Sequence, residues 1–409
     1  MTLTREELGR RIRSARESCG LTQEQLGEPA GLGRLAIGQI ESGARSVSSL
    51  ELDRIAYAVG RDIKSFFADA FVEQDALAAL FRSDDELAEQ AELMKALQDS
   101  LALGREMTTL ERLLGIDRAQ LLTASHELPA PKSRWDAIKQ GQKVAAEERQ
   151  RLGMGDAPAG DLADLLESQG VRTGFVDLPA NISGLTLADA NIGVFVVVNA
   201  AHGTVRRRFS LSHEYAHVLM DRDRSGAISR AENRADLMEV RANAFAAELL
   251  MPTEGLVHFV HALGKGAQSR AQMAVFDESE AVQVEQRSTP GSQDIQLYDV
   301  VLLAHHFGVS RIAALYRLKN LKLIDDSEFQ RLKSEDDQGA GPTIAKFLAV
   351  REPDSDQFSR DEFRRRFMGL ALEAFRRDEI TKAKLTELAA MVELSQRDVQ
   401  NVLASMQLE

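Results

Sequence analysis

Apolar residues recur at every third or fourth position along most of this chain, the spacing of one buried face on an α-helix. Leu8, Ile12 and Ala15 form the first such stripe, and Leu50, Ile55 and Val59 a later one, with short turns between them. Thr22 followed by Gln25 has the form of a helix N-cap with its capping-box partner. Gly31 and Gly33 mark a turn, and Ser42-Gly43 ends the next helix. Helical spacing returns through Leu87, Ala91, Met94, Leu97, Leu101, Leu110, Leu113 and Leu114, then over 134–152 and 161–169, and again over 295–330 and 359–408.

The pattern breaks after Gly170. Residues 192–199, Ile-Gly-Val-Phe-Val-Val-Val-Asn, crowd β-branched side chains into the clearest strand of the chain. Two helices are expected after it, over 206–220 and 234–251, the second stopped by Pro252. Residues 264–294 are polar and weakly patterned, so a long loop is expected there. The predicted architecture is multidomain and mainly α. An all-α domain over 1–68 precedes a helical connector over 69–130, which ends near Pro129-Ala130-Pro131. An α+β domain with a small sheet spans 131–262, and a helical region spans 263–409.

Length agrees, since 409 residues exceed one ordinary core. Net charge of −13 excludes coating of nucleic acid by bulk electrostatics, although not a local DNA-reading face. Much of the acidity lies in 69–125, with twelve Asp or Glu against five Lys or Arg. Residues 1–68 carry ten basic and nine acidic groups. The connector is either an oligomerisation element or a helical pair packed on its own chain. Cys19 is the single cysteine, so no internal disulfide or thiolate metal site can form, and a reducing cytoplasm is expected. The start has no apolar signal core, no run approaches the roughly 18 residues of a membrane span, and no membrane partner is expected.

With thiolates excluded, metal chemistry points to histidine and carboxylate. His213-Glu214-Tyr215-Ala216-His217 sits in a helical stretch and sets two imidazoles on one face, within reach of a single Zn²⁺. Glu214 projects beside them, positioned for the proton of an attacking water rather than for the metal. A catalytic zinc takes a third protein ligand. The next helix offers Glu239, and Glu232, Asp236 and Glu248 are rivals that spacing does not exclude. Asn243 could orient a ligand. Tyr215 should point away from the metal, and Tyr298, His305 and His306 are candidates for a second electrophile.

Residues 134–255 resemble the ImmA/IrrE family of zinc metallopeptidases. The resemblance is carried by Arg207-Arg208-Phe209-Ser210-Leu211-Ser212-His213-Glu214-Tyr215-Ala216-His217 and by the run from Glu239 to Pro252, with Ile182-Ser183-Gly184-Leu185 and the strand before Asn199. It implies a zincin-like fold and a gluzincin-like endopeptidase, with Zn²⁺ on His213, His217 and Glu239 and Glu214 as catalytic acid/base. Among the four acidic candidates, the resemblance selects Glu239. It also implies a protein substrate, a particular repressor.

Residues 8–67 resemble the Xre/Cro-type helix-turn-helix. The match runs through Leu21-Thr22-Gln23-Glu24-Gln25-Leu26, Ala30-Gly31-Leu32, Ile37-Gly38-Gln39-Ile40-Glu41-Ser42-Gly43 and Leu50 to Ala56. In that fold the second helix of the motif enters the major groove. Here it covers about 33–41, with Arg34, Leu35 and Gln39 outward, while Gln23 and Gln25 hold phosphates. The implied partner is a double-stranded DNA operator, bound by a homodimer. Gly33 and Gly38 weaken the recognition helix, an interior glycine by about 1 kcal/mol relative to alanine.

Residues 303–318 resemble the helical segment that follows the peptidase core in this family. Leu385 to Val399 has a second helix-turn-helix pattern, for which a packing or sensor module is expected and a second DNA contact is the alternative. The chain therefore reads as a transcriptional regulator with a fused zinc peptidase that answers a stress signal. The runner-up is a regulator whose peptidase-like domain is catalytically silent and acts as sensor or scaffold.

Overall fold

The computed structural model describes residues 3–61, 63–68, 71, 91–116, 124–189, 193–221, 226–230, 236–265, 270–276, 281–287, 293–350 and 356–406. Its architecture is multidomain and mainly α, as the apolar spacing predicts.

The N-terminal head consists of α1 (Arg5–Ser18), α2 (Gln23–Ala30), α3 (Arg34–Glu41), α4 (Ser49–Ala58) and a 3-10 turn at Ile63–Phe67. Ile12, Leu26, Ile37, Ile40 and Ile55 fill its core. The expected capping box closes α2: Gln25 N–H donates to Thr22 Oγ1 at 3.2 Å, and Thr22 N–H donates to Gln25 Oε1 at 2.8 Å. Pro29 falls in the last turn of α2, where the helix is already ending.

The connector holds one long helix among the described residues, α5 (Ala91–Leu113). Leu97, Leu101, Met107 and Leu110 are buried within this chain, which favours packing on its own chain. Leu87 lies outside the described residues. Polar contacts tie α5 to three other parts. Tyr57 of the head donates to Asp99 at 2.5 Å, and Gln98 donates to the Ala58 carbonyl of the head at 2.8 Å. Arg172 Nε donates to Glu111 at 3.0 Å, and Lys384 donates to Glu106 at 2.8 Å.

A mixed α+β unit follows. Helices α6 (Arg134–Arg151) and α7 (Leu162–Ser168) precede strands β1 (Arg172–Val176), β2 (Ile182–Asp189) and β3 (Gly193–Asn199). Then come α8 (Thr204–Met220), β4 (Gly226–Arg230), α9 (Leu237–Leu250) and α10 (Thr253–Ala262). The four-stranded sheet has the order β1-β3-β2-β4. β1 and β3 are parallel, and β2 runs antiparallel to both β3 and β4. Phe195, Val196, Val197 and Val198 are fully buried, so β3 reads as a continuous apolar run because both its faces are covered. Helix α8 lies on β2 and β3, and α9 packs between α8 and α6.

The expected loop over 264–294 instead contains a hairpin, β5 (Arg270–Phe276) with β6 (Ala281–Arg287). Its strands alternate polar with apolar residues too mildly to stand out from a loop; in their register Met273 stands opposite Val284 and Val275 opposite Val282. Among the described residues seven helices follow: α11 (Leu297–Phe307), α12 (Arg311–Asn320), α13 (Asp326–Asp337), α14 (Ala340–Phe347), α15 (Asp356–Arg376), α16 (Lys382–Met391) and α17 (Gln396–Ser405). Among the described residues, no helix is long and apolar enough to cross a membrane.

Candidate metal centre and candidate nucleic-acid interface

Helix α8 is buried over its last eleven residues, from Ser210 to Met220. Leu211, Val218 and Leu219 belong to the core, and the opposite side of the helix brings His213 and His217 towards the first turn of α9. Asp236 caps α9 by accepting from Met238 N–H at 2.8 Å. That cap sets Glu239 as the third residue of the helix, facing both rings. His213 Nε2 and Glu239 Oε2 are 3.1 Å apart, His217 Nε2 and Glu239 Oε1 are 3.4 Å apart, and the two Nε2 atoms are 3.2 Å apart.

These separations can be tested against a cation. Four-coordinate zinc with ligands at about 2.0–2.1 Å requires neighbouring donors about 3.3–3.4 Å apart. The three donors present that spacing and the nitrogen and oxygen chemistry that zinc takes, so the residues fit the ion. The far nitrogens are held as well. His217 Nδ1 lies 2.7 Å from Asp221 Oδ2, and His213 Nδ1 lies 3.1 Å from Asn243 Oδ1. With Nδ1–H donating to those oxygens, each Nε2 keeps its lone pair for the shared centre. Asp221 is fixed in turn by the buried guanidinium of Arg241.

The electrostatics favour a positive occupant. Burial alone would depress His217, but hydrogen bonds to Asp221 and Glu239 and the nearby Glu214 charge hold its pKa up at about 10. Burial would raise Glu239, but the two imidazoles outweigh it and bring the carboxyl down to about 2.

Glu214 is fully buried one position beyond the first histidine. Thr186 Oγ1 on β2 donates to its Oε2 at 2.6 Å. Its Oε1 has no hydrogen-bond partner among the described residues, an expensive condition for a buried carboxylate oxygen unless a ligand or water satisfies it. Gly184 makes this position possible: a Cβ there would stand 2.9 Å from Glu214 Oε1 and 3.1 Å from the Val197 carbonyl oxygen.

A cavity of about 920 Å³ opens on His213, Glu214 and Glu239. Phe209, Leu250, Met251 and Ile312 give it apolar walls, and Arg206, Arg311 and Tyr316 add polar groups. Helix α12 thus forms one side of the cavity although it lies far along the chain.

The other sequence candidates fall elsewhere. Glu248 bonds to Thr253 N–H at 2.8 Å and pairs with Arg317, and Asp236 is occupied as a helix cap. Glu232 lies outside the described residues. Tyr215 points away from the cluster and donates to Glu148 at 2.5 Å. Tyr298, His305 and His306 do not line the cavity; His306 stacks on Phe259 at 4.6 Å between ring centres. Sequence reasoning missed Asp221, Thr186, Arg206 and Tyr316. Of these, Asp221 alone had a local signal, since it follows His217 by one helical turn.

In the head, Arg34, Leu35 and Gln39 are exposed on one face of α3, with Leu35 77% accessible. Helix α3 begins at Gly33 with no side-chain cap. Gln23 and Gln25 are half-buried and engaged inside the head, Gln23 with Glu41 at 2.8 Å and Gln25 in the capping box. Glu41 is itself buried against Arg16 at 2.6 Å, so Gln23 extends an ion pair that locks α3 to α1.

Residues 7–63 match the family model of a helix-turn-helix domain, and residues 166–319 match that of an IrrE N-terminal-like domain, a metallopeptidase-like family. The second match takes in the sheet, α8, α9 and the helices α11 and α12 beyond the hairpin. No curated protein matches the chain. The crystal structure of ComR from Streptococcus suis is similar over 96% of this chain and 95% of that one, at 13% identity and a TM-score of 0.16. A superposition that loose says nothing further of this protein. The chain carries a DNA-binding helix-turn-helix domain and an ImmA/IrrE peptidase-like domain in one polypeptide.

Proposed function

We propose that this protein is a transcriptional regulator whose peptidase-like domain is a working zinc endopeptidase directed at a protein substrate. The observation that carries the reading is the three-donor cluster beside a buried carboxylate oxygen without a partner, both opening on the same cavity. His213, His217 and Glu239 hold the ion. When bound, zinc polarises the scissile carbonyl and acidifies water. Glu214 Oε1 takes the proton of the attacking water and passes it to the leaving amine nitrogen. Thr186 keeps Oε2 occupied, so the proton travels on one defined oxygen. Phe209, Leu250, Met251 and Ile312 exclude water around the peptide, while Arg206 and Tyr316 provide hydrogen-bond donors at the cavity wall.

The head reads a double-stranded operator through Arg34, Leu35 and Gln39 on α3, with Gln23 and Gln25 at the start of α2 beside the phosphates, in a homodimer. A repressor is the substrate class, and a stress signal gates cleavage. The units divide as 1–68, 69–130, 131–262 and 263–409.

Elemental analysis of the purified chain tests the first step, and absence of stoichiometric zinc sinks the peptidase. Glu214→Gln tests the second. It should keep the metal and lower cleavage of a protein substrate by about 10²–10⁴-fold. Unchanged cleavage would remove Glu214 from the mechanism.

A further inference from the structure

The C-terminal helices repeat, position for position, the turn used by the head. Helix α2 ends at Gly31 with φ of 67°, and Leu32 N–H closes onto the Gly27 carbonyl at 2.8 Å. Beyond α16, which is capped at Val392, Glu393 has φ of 61°, and Leu394 N–H closes onto the Ala389 carbonyl at 3.0 Å. Leu26 and Ala30 are buried before the first turn, and Leu388 and Val392 are buried at the matching positions. Six residues beyond each left-handed residue, Ile37 and Val399 plug the second helix into the core. The second copy is the better capped, because Ser395 and Asp398 form a capping box where Gly33 offers no side chain.

The turn alone does not indicate a ligand. Helices α11 and α12 are joined in the same way at Gly308, where Val309 N–H meets the Ala304 carbonyl at 2.9 Å. What separates the three is the outer face of the second helix. On α12 that face walls the catalytic cavity through Arg311, Ile312 and Tyr316. On α17 only Val399 and Leu403 are buried, and Gln396, Arg397, Gln400 and Asn401 are exposed. Those four occupy the positions that Arg34, Leu35, Gly38 and Gln39 hold on α3.

The chemistry of this face fits nucleic acid. A protein-docking face concentrates apolar anchors at its centre. Here the centre is guanidinium and carboxamide, and the exposed apolar groups, Val402 and Met406, lie towards the end of the helix. Arginine pairs bidentately with guanine, and glutamine or asparagine with adenine, in the major groove. Asp398, the acidic group of α17, is turned back onto Ser395 N–H at 2.8 Å. We propose that α15–α17 is a second reader of double-stranded DNA, with α17 in the major groove and Arg397, Gln400 and Asn401 on base edges. The chain then recognises two sequence elements, one through each helix-turn-helix.

The test uses full-length protein and a random pool of duplex DNA. The wild-type chain should enrich a two-part motif. The R397A/Q400A/N401A variant should lose sequence preference in one part while keeping the other, with affinity for the wild-type sequence down about ten- to a hundredfold. Because the three residues are exposed, the variant should keep the wild-type thermal transition. An unchanged motif overturns the proposal, whether affinity is kept or merely lowered, as does a wild-type chain that enriches nothing. A variant that leaves the motif intact and alters the oligomeric state assigns the face to protein contact, which also overturns it.

Discussion

The metal corner and the outer face of α3 solve opposite problems. At the corner His213, His217, Glu214 and Asp221 are buried and each is held by another side chain: Arg241 holds Asp221, Asp221 holds His217, Asn243 holds His213, and Thr186 holds Glu214. On α3, Arg34, Leu35 and Gln39 extend into solvent, and the order sits behind them in Glu41, Arg16 and Gln23. A site for chemistry must be organised before its substrate arrives, since geometry set in advance lowers the barrier. A face that reads an external partner needs only a rigid support. Substitutions should therefore damage stability and metal together at the corner, and DNA recognition alone on α3.

The largest test of that contrast is Glu239→Ala. It should abolish stoichiometric zinc and, by taking the shared carboxylate from two buried histidines, lower the thermal midpoint; retention of zinc would move the third ligand elsewhere. Asp221→Asn comes next. It keeps the ligand set but weakens the support of His217, and metal affinity should fall about 10–100-fold in a chelator competition. Acidity gives a smaller, graded effect. The His217 pKa is raised to about 10 in the metal-free protein, so the ring is protonated at neutral pH and must release a proton to bind. Apparent affinity should rise about tenfold per unit as pH rises towards that value and weaken as pH falls. A pH-independent affinity would show that His217 binds without proton exchange. The smallest effect is expected on the head. Arg34→Ala should change unfolding free energy by no more than about 0.5 kcal/mol while weakening operator binding. A large loss of stability would break the contrast.

What the sequence disclosed follows the range of each interaction. The capping box at Thr22, the strand through Val196 and the helix carrying His213 and His217 are local patterns, and all are readable from a few adjacent residues. Spacing left Glu239 among four carboxylates because the approach of α9 to α8 depends on packing that no short window contains. The same limit hid Thr186, which reaches Glu214 across the sheet–helix interface, and Tyr316, brought to the cavity by a helix a hundred residues downstream. It also favoured Tyr298, His305 and His306 as later contributors, since residue type was visible and direction was not. The β5–β6 hairpin escaped notice for another reason: its alternation is real, but its polar positions resemble those of a loop.

Helix α5 bears on how these parts behave together. Its 23 residues make a rod of about 35 Å. Along it are fastened the head at Gln98 and Asp99, the C-terminal helices at Glu106, and the first strand of the peptidase-like sheet at Glu111. A rod pinned at successive stations cannot roll about its axis without turning every fitting. The head, the C-terminal helices and the first strand of the sheet thus share one support, and a shift of that helix would bear on all three contacts.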